Sequence, residues 1–170
     1  MSGQPLRPVS AADHAALLAL NNAHATELSW LDAPALARLL GIALHARTVG
    51  TCSALLVALD QDAPYANPNF AWFAARHRRF VYIDRVVVAA SARGQGLARR
   101  LYRDLADTAR AHGHSLLACE INLDPPNPAS ADFHRGLGFV PVGSARLPGG
   151  KQVGYHLCAL DEAPRLRAAP

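Results

Sequence analysis

The run from Val86 to Tyr102 holds the residues whose types and spacing point most directly to chemistry. Val86, Val87 and Val88 close an apolar stretch. Arg93, Gly94, Gln95 and Gly96 follow, and Leu97, Ala98 and Arg99 open an amphipathic segment. This reads as a buried strand, a glycine turn and a helix. Glycines at 94 and 96 let the backbone take dihedrals closed to other residues and come close to a ligand. The unpaired N–H groups at a helix start then form an anion cradle. Arg99, Arg100 and Arg103 fall in the first turns, where the helix dipole disfavours cations. Their placement makes sense when a polyphosphate docks there and outweighs the dipole. A dinucleotide site would need glycine where Arg99 stands. A P-loop needs four residues between its glycines and a following Lys, so neither pattern fits. A solvated arginine-rich helix start is the plain alternative.

Group transfer also needs somewhere for a proton to go. On Phe80–Ala89, read as a strand, Tyr82, Asp84, Val86 and Val88 share one face, while Val81, Ile83, Arg85 and Val87 share the other. On Ser115–Leu123, Glu120 and Asn122 share one face, and Leu117, Cys119, Ile121 and Leu123 the other. If the polar faces coincide, Asp84 and Glu120 converge. A carboxylate there, raised in pKa by partial burial, could relay a proton through water. Each has a plainer reading: Asp84 as half of an ion pair with Arg85, Glu120 as a partner of Arg85 or of a loop N–H.

The elements that must position these groups are legible in outline. Leu6–Val9 predicts a short strand ended by Pro8. Ser10-Ala-Ala-Asp13 resembles a capping box opening a helix to about Glu27, with Leu17, Leu20, His24 and Leu28 at helical spacing and Asn21 close by. Asp32-Ala-Pro34 starts a second helix that ends near Gly41. Leu44–Thr48 and Cys52–Leu59 read as a hairpin turning at Gly50, and Asp60–Asn69 as a polar loop. Phe70–Arg79 reads as a short helix or an ordered lid. A helix from Leu97 to His112 shows Leu97, Leu101 and Leu105 as its core stripe, and Gly113 closes it. A strand–helix–strand unit of this length implies a parallel pair joined by a right-handed crossover. Asn127-Pro128 predicts an N-cap and first-turn proline for a helix stopping at Gly138. Phe139–Leu147 and Val153–Leu160 form a last hairpin, and Asp161–Pro170 reads as a frayed tail.

At 170 residues and 51% hydrophobic, the chain can bury one substantial core, so residues 1–170 are expected to form a single domain. The net charge of +4 permits a nucleic-acid partner. The arginines, however, cluster at 76–79 and 93–103, which suits local phosphate recognition better than a broad basic surface. Cys52, Cys119 and Cys158 are odd in number, lie in apolar runs and lack metal-ligand spacing. They read as reduced thiols of a cytoplasmic protein. No metal, membrane span or signal peptide is expected, and a homodimer is compatible with the chain.

Arg93-x-x-Gly96-x-Ala98 matches the Arg/Gln-x-x-Gly-x-Gly/Ala motif of the GNAT acetyltransferases, and the order of elements resembles that fold throughout. The segment Asn127-Pro-Ala-Ser130-Ala-Asp-Phe133-His134-Arg-Gly-Leu-Gly138-Phe139 is similar to the family's second acyl-CoA motif. Asn21-Asn-Ala-His24, Glu27-Leu-Ser-Trp30-Leu-Asp32 and Cys119-Glu120-Ile-Asn122-Leu-Asp-Pro-Pro126 resemble a bacterial subgroup of predicted acetyltransferases. The resemblance implies an α/β fold: a central, mostly antiparallel sheet with one splayed parallel strand pair, flanked by helices. It implies acetyl-CoA, or another acyl-CoA, as co-substrate. The pyrophosphate would lie on Arg93–Arg99, the thioester against a strand N–H of Val86–Val88, and the pantetheine near Asn127, Ser130 and Phe133. The acceptor would be a small-molecule amine, a peptide N-terminus or a lysine, met by Asn21, His24, Tyr82 and Asn122. His134 stands where the family often has a tyrosine acting as general acid to the departing thiolate.

Plainer roles stand beside these. His134 reads equally as a surface or capping histidine, Tyr82 as a packing residue, and Asn21 and His24 as polar positions of a helix packed on loops. The chain therefore reads as an N-acetyltransferase. Its rivals are a GNAT-like module that holds acyl-CoA without turnover and a basic nucleic-acid-binding domain.

Overall fold

The computed structural model describes residues 3–167. Seven strands form one mixed sheet: β1 (Leu6–Pro8), β2 (His45–Val49), β3 (Ala54–Asp60), β4 (Val81–Val88), β5 (Leu116–Asp124), β6 (Val140–Arg146) and β7 (Gln152–Ala159). Their order across the sheet is β1-β2-β3-β4-β5-β7-β6. β4 and β5 are parallel, through Val81↔Leu117 and Tyr82↔Ala118, a short ladder for strands of eight and nine residues. The helices are α1 (His14–Asn22), α2 (Ala25–Leu28), α3 (Ala33–Gly41), α4 (Pro68–Ala74), α5 (Leu97–Ala111) and α6 (Pro128–Leu137). This is the mixed α/β architecture expected from the sequence.

By compactness the chain divides into two units: Met1–Leu59 with Ile83–Leu105, and Asp60–Tyr82 with Ala106–Pro170. In the first unit, the β2–β3 hairpin brings Leu55, Leu56 and Val57 to full burial, and Leu17 and Leu36 join that core. Asp13 ties the start of the chain down. It accepts from the Ser10 N–H at 2.8 Å and from both terminal nitrogens of Arg7, at 2.8 Å each. The Arg7 guanidinium and the Ser10 N–H hold the Asp13 carboxyl well below the usual carboxylate range.

The helix expected to run to Glu27 is interrupted. Asn22 turns its side chain to the Leu31 backbone, donating to the carbonyl at 2.8 Å and accepting from the N–H at 3.0 Å. These two bonds tie the end of α1 to the chain beyond the break, which falls at Ala23–His24. His24, at φ −119°, then begins α2. α3 starts as the sequence predicts, with the Asp32 carboxylate accepting from Ala35 N–H at 2.7 Å.

In the second unit, α4 begins at Pro68 because Asn67 caps it, accepting from the Asn69 and Phe70 N–H groups at 2.9 and 3.1 Å. Phe70, Phe73, Phe80, Tyr82 and Tyr155 are buried together. Trp72 stacks on Tyr155 at 4.3 Å between centroids, with the Arg76 guanidinium 4.0 Å over the Trp72 ring. β6, hydrogen-bonded to β7 at the end of the strand order, carries Pro141 and a register shift between Pro141 and Gly143, both of which blunt a strand edge against further pairing. The tail, expected to fray from Asp161, carries two 3-10 turns, Leu160–Glu162 and Pro164–Leu166. Ala163 and Leu166 are buried, and Arg110 donates to the Leu160 and Leu166 carbonyls at 3.1 and 2.9 Å. Residues 168–170 of that tail lie outside the described residues.

No helix among the described residues is long and apolar enough to cross a membrane, and no group of three or more His, Cys, Asp or Glu there could hold a metal ion. Cys52, Cys119 and Cys158 are free thiols.

Candidate active site

In the first unit, β4 runs into a 3-10 turn at Ala90–Ala92 and then into the glycine loop, which delivers α5. Gly94 and Gly96 have φ of +76° and +73°. L side chains rarely adopt that region, so these two positions call for glycine. Nothing stands within 4 Å of where a Cβ would be at either one. Arg93 through Gly96 are exposed, whereas Leu97 is buried and anchors the start of α5. The loop is thus an open backbone surface at the N-terminus of a fifteen-residue helix, the geometry an anion needs. Ala98 is half-buried and Arg99 exposed beside it. Arg100 is drawn elsewhere, donating to the Gln4 carbonyl at 2.9 Å. On β4, Val87 is buried while Val86 and Val88 are half-buried.

Asp84 is not placed as a base. Its side chain is 3% exposed and accepts from Arg85 Nε at 2.7 Å; the Arg85 side chain is 5% exposed. Arg85 Nη1 reaches on to Asn21 Oδ1 at 2.7 Å. Asn21, fully buried, spends its amide N–H groups on Asn22 Oδ1 and the Ser29 carbonyl, each at 3.0 Å. Asn21, expected to meet the acceptor, thus has its side-chain oxygen on Arg85 and its amide N–H groups on Asn22 and Ser29. His24, expected to touch the acceptor, instead meets Arg93, its Nε2 lying 3.0 Å from Nη2.

In the second unit, Tyr82 is fully buried and donates its hydroxyl to Glu120 Oε2 at 2.7 Å, so the β4–β5 register puts these two residues on one sheet face. Glu120 is half-buried and lies opposite Tyr155 in the β5–β7 ladder. The sequence does not single out Tyr155. It is buried, and its hydroxyl donates to Asn69 Oδ1 at 2.9 Å. The apolar alternation of β7 was a signal for its burial but not for this partner. Asn122 is half-buried beside the register shift that ends the β5 ladder.

Asn127 caps α6, accepting from Ser130 N–H at 3.2 Å. His134, expected as general acid, sits inside: it is 4% exposed, with Phe133 and Phe139 edge-on at 5.4 and 5.1 Å. Its Nδ1 lies 2.7 Å from the Ser130 carbonyl, which can only accept, so Nδ1 carries the proton. Burial pushes its pKa down to about 4 despite that hydrogen bond. A neutral, enclosed imidazole has no acidic proton to offer a thiolate near pH 7, so the acid role is withdrawn.

His134 has a measurable consequence together with His45, which is buried near Arg47 and also pushed down to about 4. Both folded values lie below the ordinary 6.5. Between about pH 6.5 and 4 the unfolded chain binds protons that the folded chain refuses. Stability is therefore full above pH 6.5 and is lost as pH falls toward 4, by roughly 3 kcal/mol from His134 and by less from His45, whose Nε2 has the Asp104 carboxylate 3.3 Å away to favour the protonated ring. Urea unfolding at pH 7.5, 5.5 and 4.5 measures the slope, and His134→Asn should flatten it. An unchanged slope in that variant would show that His134 does not contribute.

Residues 16–139 match the family described as Acetyltransferase (GNAT) family. No curated protein matches the chain. Solved structures share its fold. The Ard1 protein from Thermoplasma volcanium is 13% identical, with 93% of this chain and 98% of that one aligned at a TM-score of 0.76. The yncA protein from Salmonella typhimurium, solved with its cofactor acetyl-CoA, is 23% identical over 99% and 98% at a TM-score of 0.64. The ribosomal-protein-S18-alanine N-acetyltransferase from Escherichia coli is 14% identical over 98% and 96% at 0.66. The chain belongs to the GNAT acetyltransferase family.

Proposed function

We propose that the chain transfers an acetyl group from acetyl-CoA to a primary amine by direct attack in a ternary complex. The observation that carries this reading is the Arg93–Gly96 loop, exposed, with both glycines at positive φ and open space where side chains would stand. Its N–H groups and the arginines beside it suit the CoA pyrophosphate. A backbone N–H of Val86–Val88 polarises the thioester carbonyl, a preorganised donor where negative charge develops. Asn127, Ser130 and Phe133 remain assigned to the pantetheine. The amine nitrogen attacks the carbonyl carbon, the C–N bond forms, and the tetrahedral intermediate collapses with loss of the C–S bond. The nitrogen sheds a second proton as it becomes an amide, and through water that proton reaches the departing CoA thiolate. The acceptor ammonium loses its proton to Glu120, which is half-buried on a strand, whereas Asp84 is enclosed in an ion pair. An amine or peptide N-terminus fits the acceptor chemistry that the name of the Escherichia coli relative describes.

The test is release of free thiol when acetyl-CoA is mixed with a panel of amines and peptides. Glu120→Gln keeps an oxygen to accept from Tyr82 but cannot take a proton. Its kcat should fall about a hundredfold near neutral pH and recover as pH rises and more acceptor arrives neutral. Acetyl-CoA affinity should be unchanged. A wild-type rate in this variant would move the proton path to water. The buried neutral His134 favours a second reading, an acyl-CoA-binding module without turnover. Acetyl-CoA binding with no thiol release from any acceptor would select it.

A further inference from the structure

His24 stands at the break between α1 and α2, and its ring links the end of α1 to the phosphate loop. Nδ1 lies 3.0 Å from the Leu20 carbonyl oxygen, an acceptor, so Nδ1 carries the ring proton. Nε2 then presents a lone pair, and Arg93 Nη2 donates to it at 3.0 Å. The backbone under the ring is braced on both sides. The His24 carbonyl accepts from the Glu27 and Leu28 N–H groups at 3.1 and 3.0 Å, and Asn21 and Asn22 clamp the segment from Ser29 to Leu31 beside it.

We propose that His24 is a positioning residue: it orders the Arg93 guanidinium before the phosphate arrives. The inference rests on the reading of that loop as the acyl-CoA phosphate site. Arginine loses much rotamer freedom when it is fixed, and a contact that fixes it beforehand lowers the cost at binding. A guanidinium has five N–H donors, so a bond from Nη2 to His24 leaves others to meet phosphate oxygens. The neutral Nδ1–H tautomer is what makes the histidine an acceptor here. The bond lies at an exposed position, so its effect is modest.

Calorimetry on the full chain, with CoA and with pantetheine, which lacks the pyrophosphate, tests this. In His24→Ala the Kd for CoA should rise about three- to tenfold, and that for pantetheine should stay the same. His24→Gln, whose Oε1 can accept from Arg93, should return CoA affinity to within about twofold of wild type. In an Arg93→Ala background, His24→Ala should cost nothing further, because its effect passes through the arginine. Equal losses for both ligands, a full loss in the Arg93→Ala background, no rescue by glutamine, or wild-type affinity in His24→Ala would each overturn the proposal. A wild-type chain that binds no CoA at all would instead overturn the acyl-CoA reading, and this inference with it.

Discussion

Gly96→Val is expected to raise the Kd for acetyl-CoA by at least about a hundredfold while the chain still folds. The backbone at Gly96 has φ +73°, and nothing lies within 4 Å of an added Cβ. A Cβ there meets no atom beyond its chain neighbours, and the side chain stands on the open surface assigned to the phosphates. The cost to the fold is the left-handed dihedral alone, about 1–2 kcal/mol, or roughly 2–8 °C in melting temperature for a chain of this size. Binding loses far more, because the pyrophosphate can no longer approach the N–H groups. Gly96→Ala separates the two effects: it carries most of the strain with little of the bulk, so its melting temperature should resemble that of the valine variant and its affinity should be intermediate. Calorimetry and thermal melts on the same samples give both numbers. Unchanged affinity in Gly96→Val would place the phosphates elsewhere.

The largest loss of stability is expected from Asp84→Asn. Both members of the Asp84–Arg85 pair are almost fully buried, and the guanidinium passes its other side to Asn21. Removing the carboxylate charge leaves a buried cation without compensation, which costs about 3–5 kcal/mol, or roughly 6–20 °C in melting temperature. Activity measured below the transition should show no selective recovery at high pH, because no proton acceptor has been lost. The companion double variant, Asp84→Leu with Arg85→Met, removes both charges and should regain much of the stability lost in Asp84→Asn. A stable Asp84→Asn protein whose rate recovers with pH would reverse this assignment and make Asp84 the base.

Strand parity put Tyr82 and Glu120 each on the polar face of its own strand; that the two faces coincide and the hydroxyl meets the carboxylate is decided by the β4–β5 register. The same parity also suggested a pairing of roles for Asp84 and Glu120, and there it misled. Whether a carboxylate on a strand is a base or half of an ion pair depends on what stands beside it. For Asp84 the neighbours are Arg85 and, through it, a helix residue 64 positions away in sequence. His134 illustrates the same limit: its spacing from Asn127 marks the motif, while two aromatic edges and a carbonyl set its protonation.

Local chemistry, then, was enough for the strand–glycine–helix unit, the caps at Asp32 and Asn127 and the hairpins. Each depends on dihedral preference, periodicity or a hydrogen bond reaching three residues along the chain. Tertiary structure alone decided which charges are enclosed, that the first helix breaks at His24, that Arg93 is met by that histidine, and that Leu166 is held by Arg110. The reason is physical: burial and pairing energies belong to groups brought together by the fold, and nothing in the spacing of residues along the chain encodes which of them will meet.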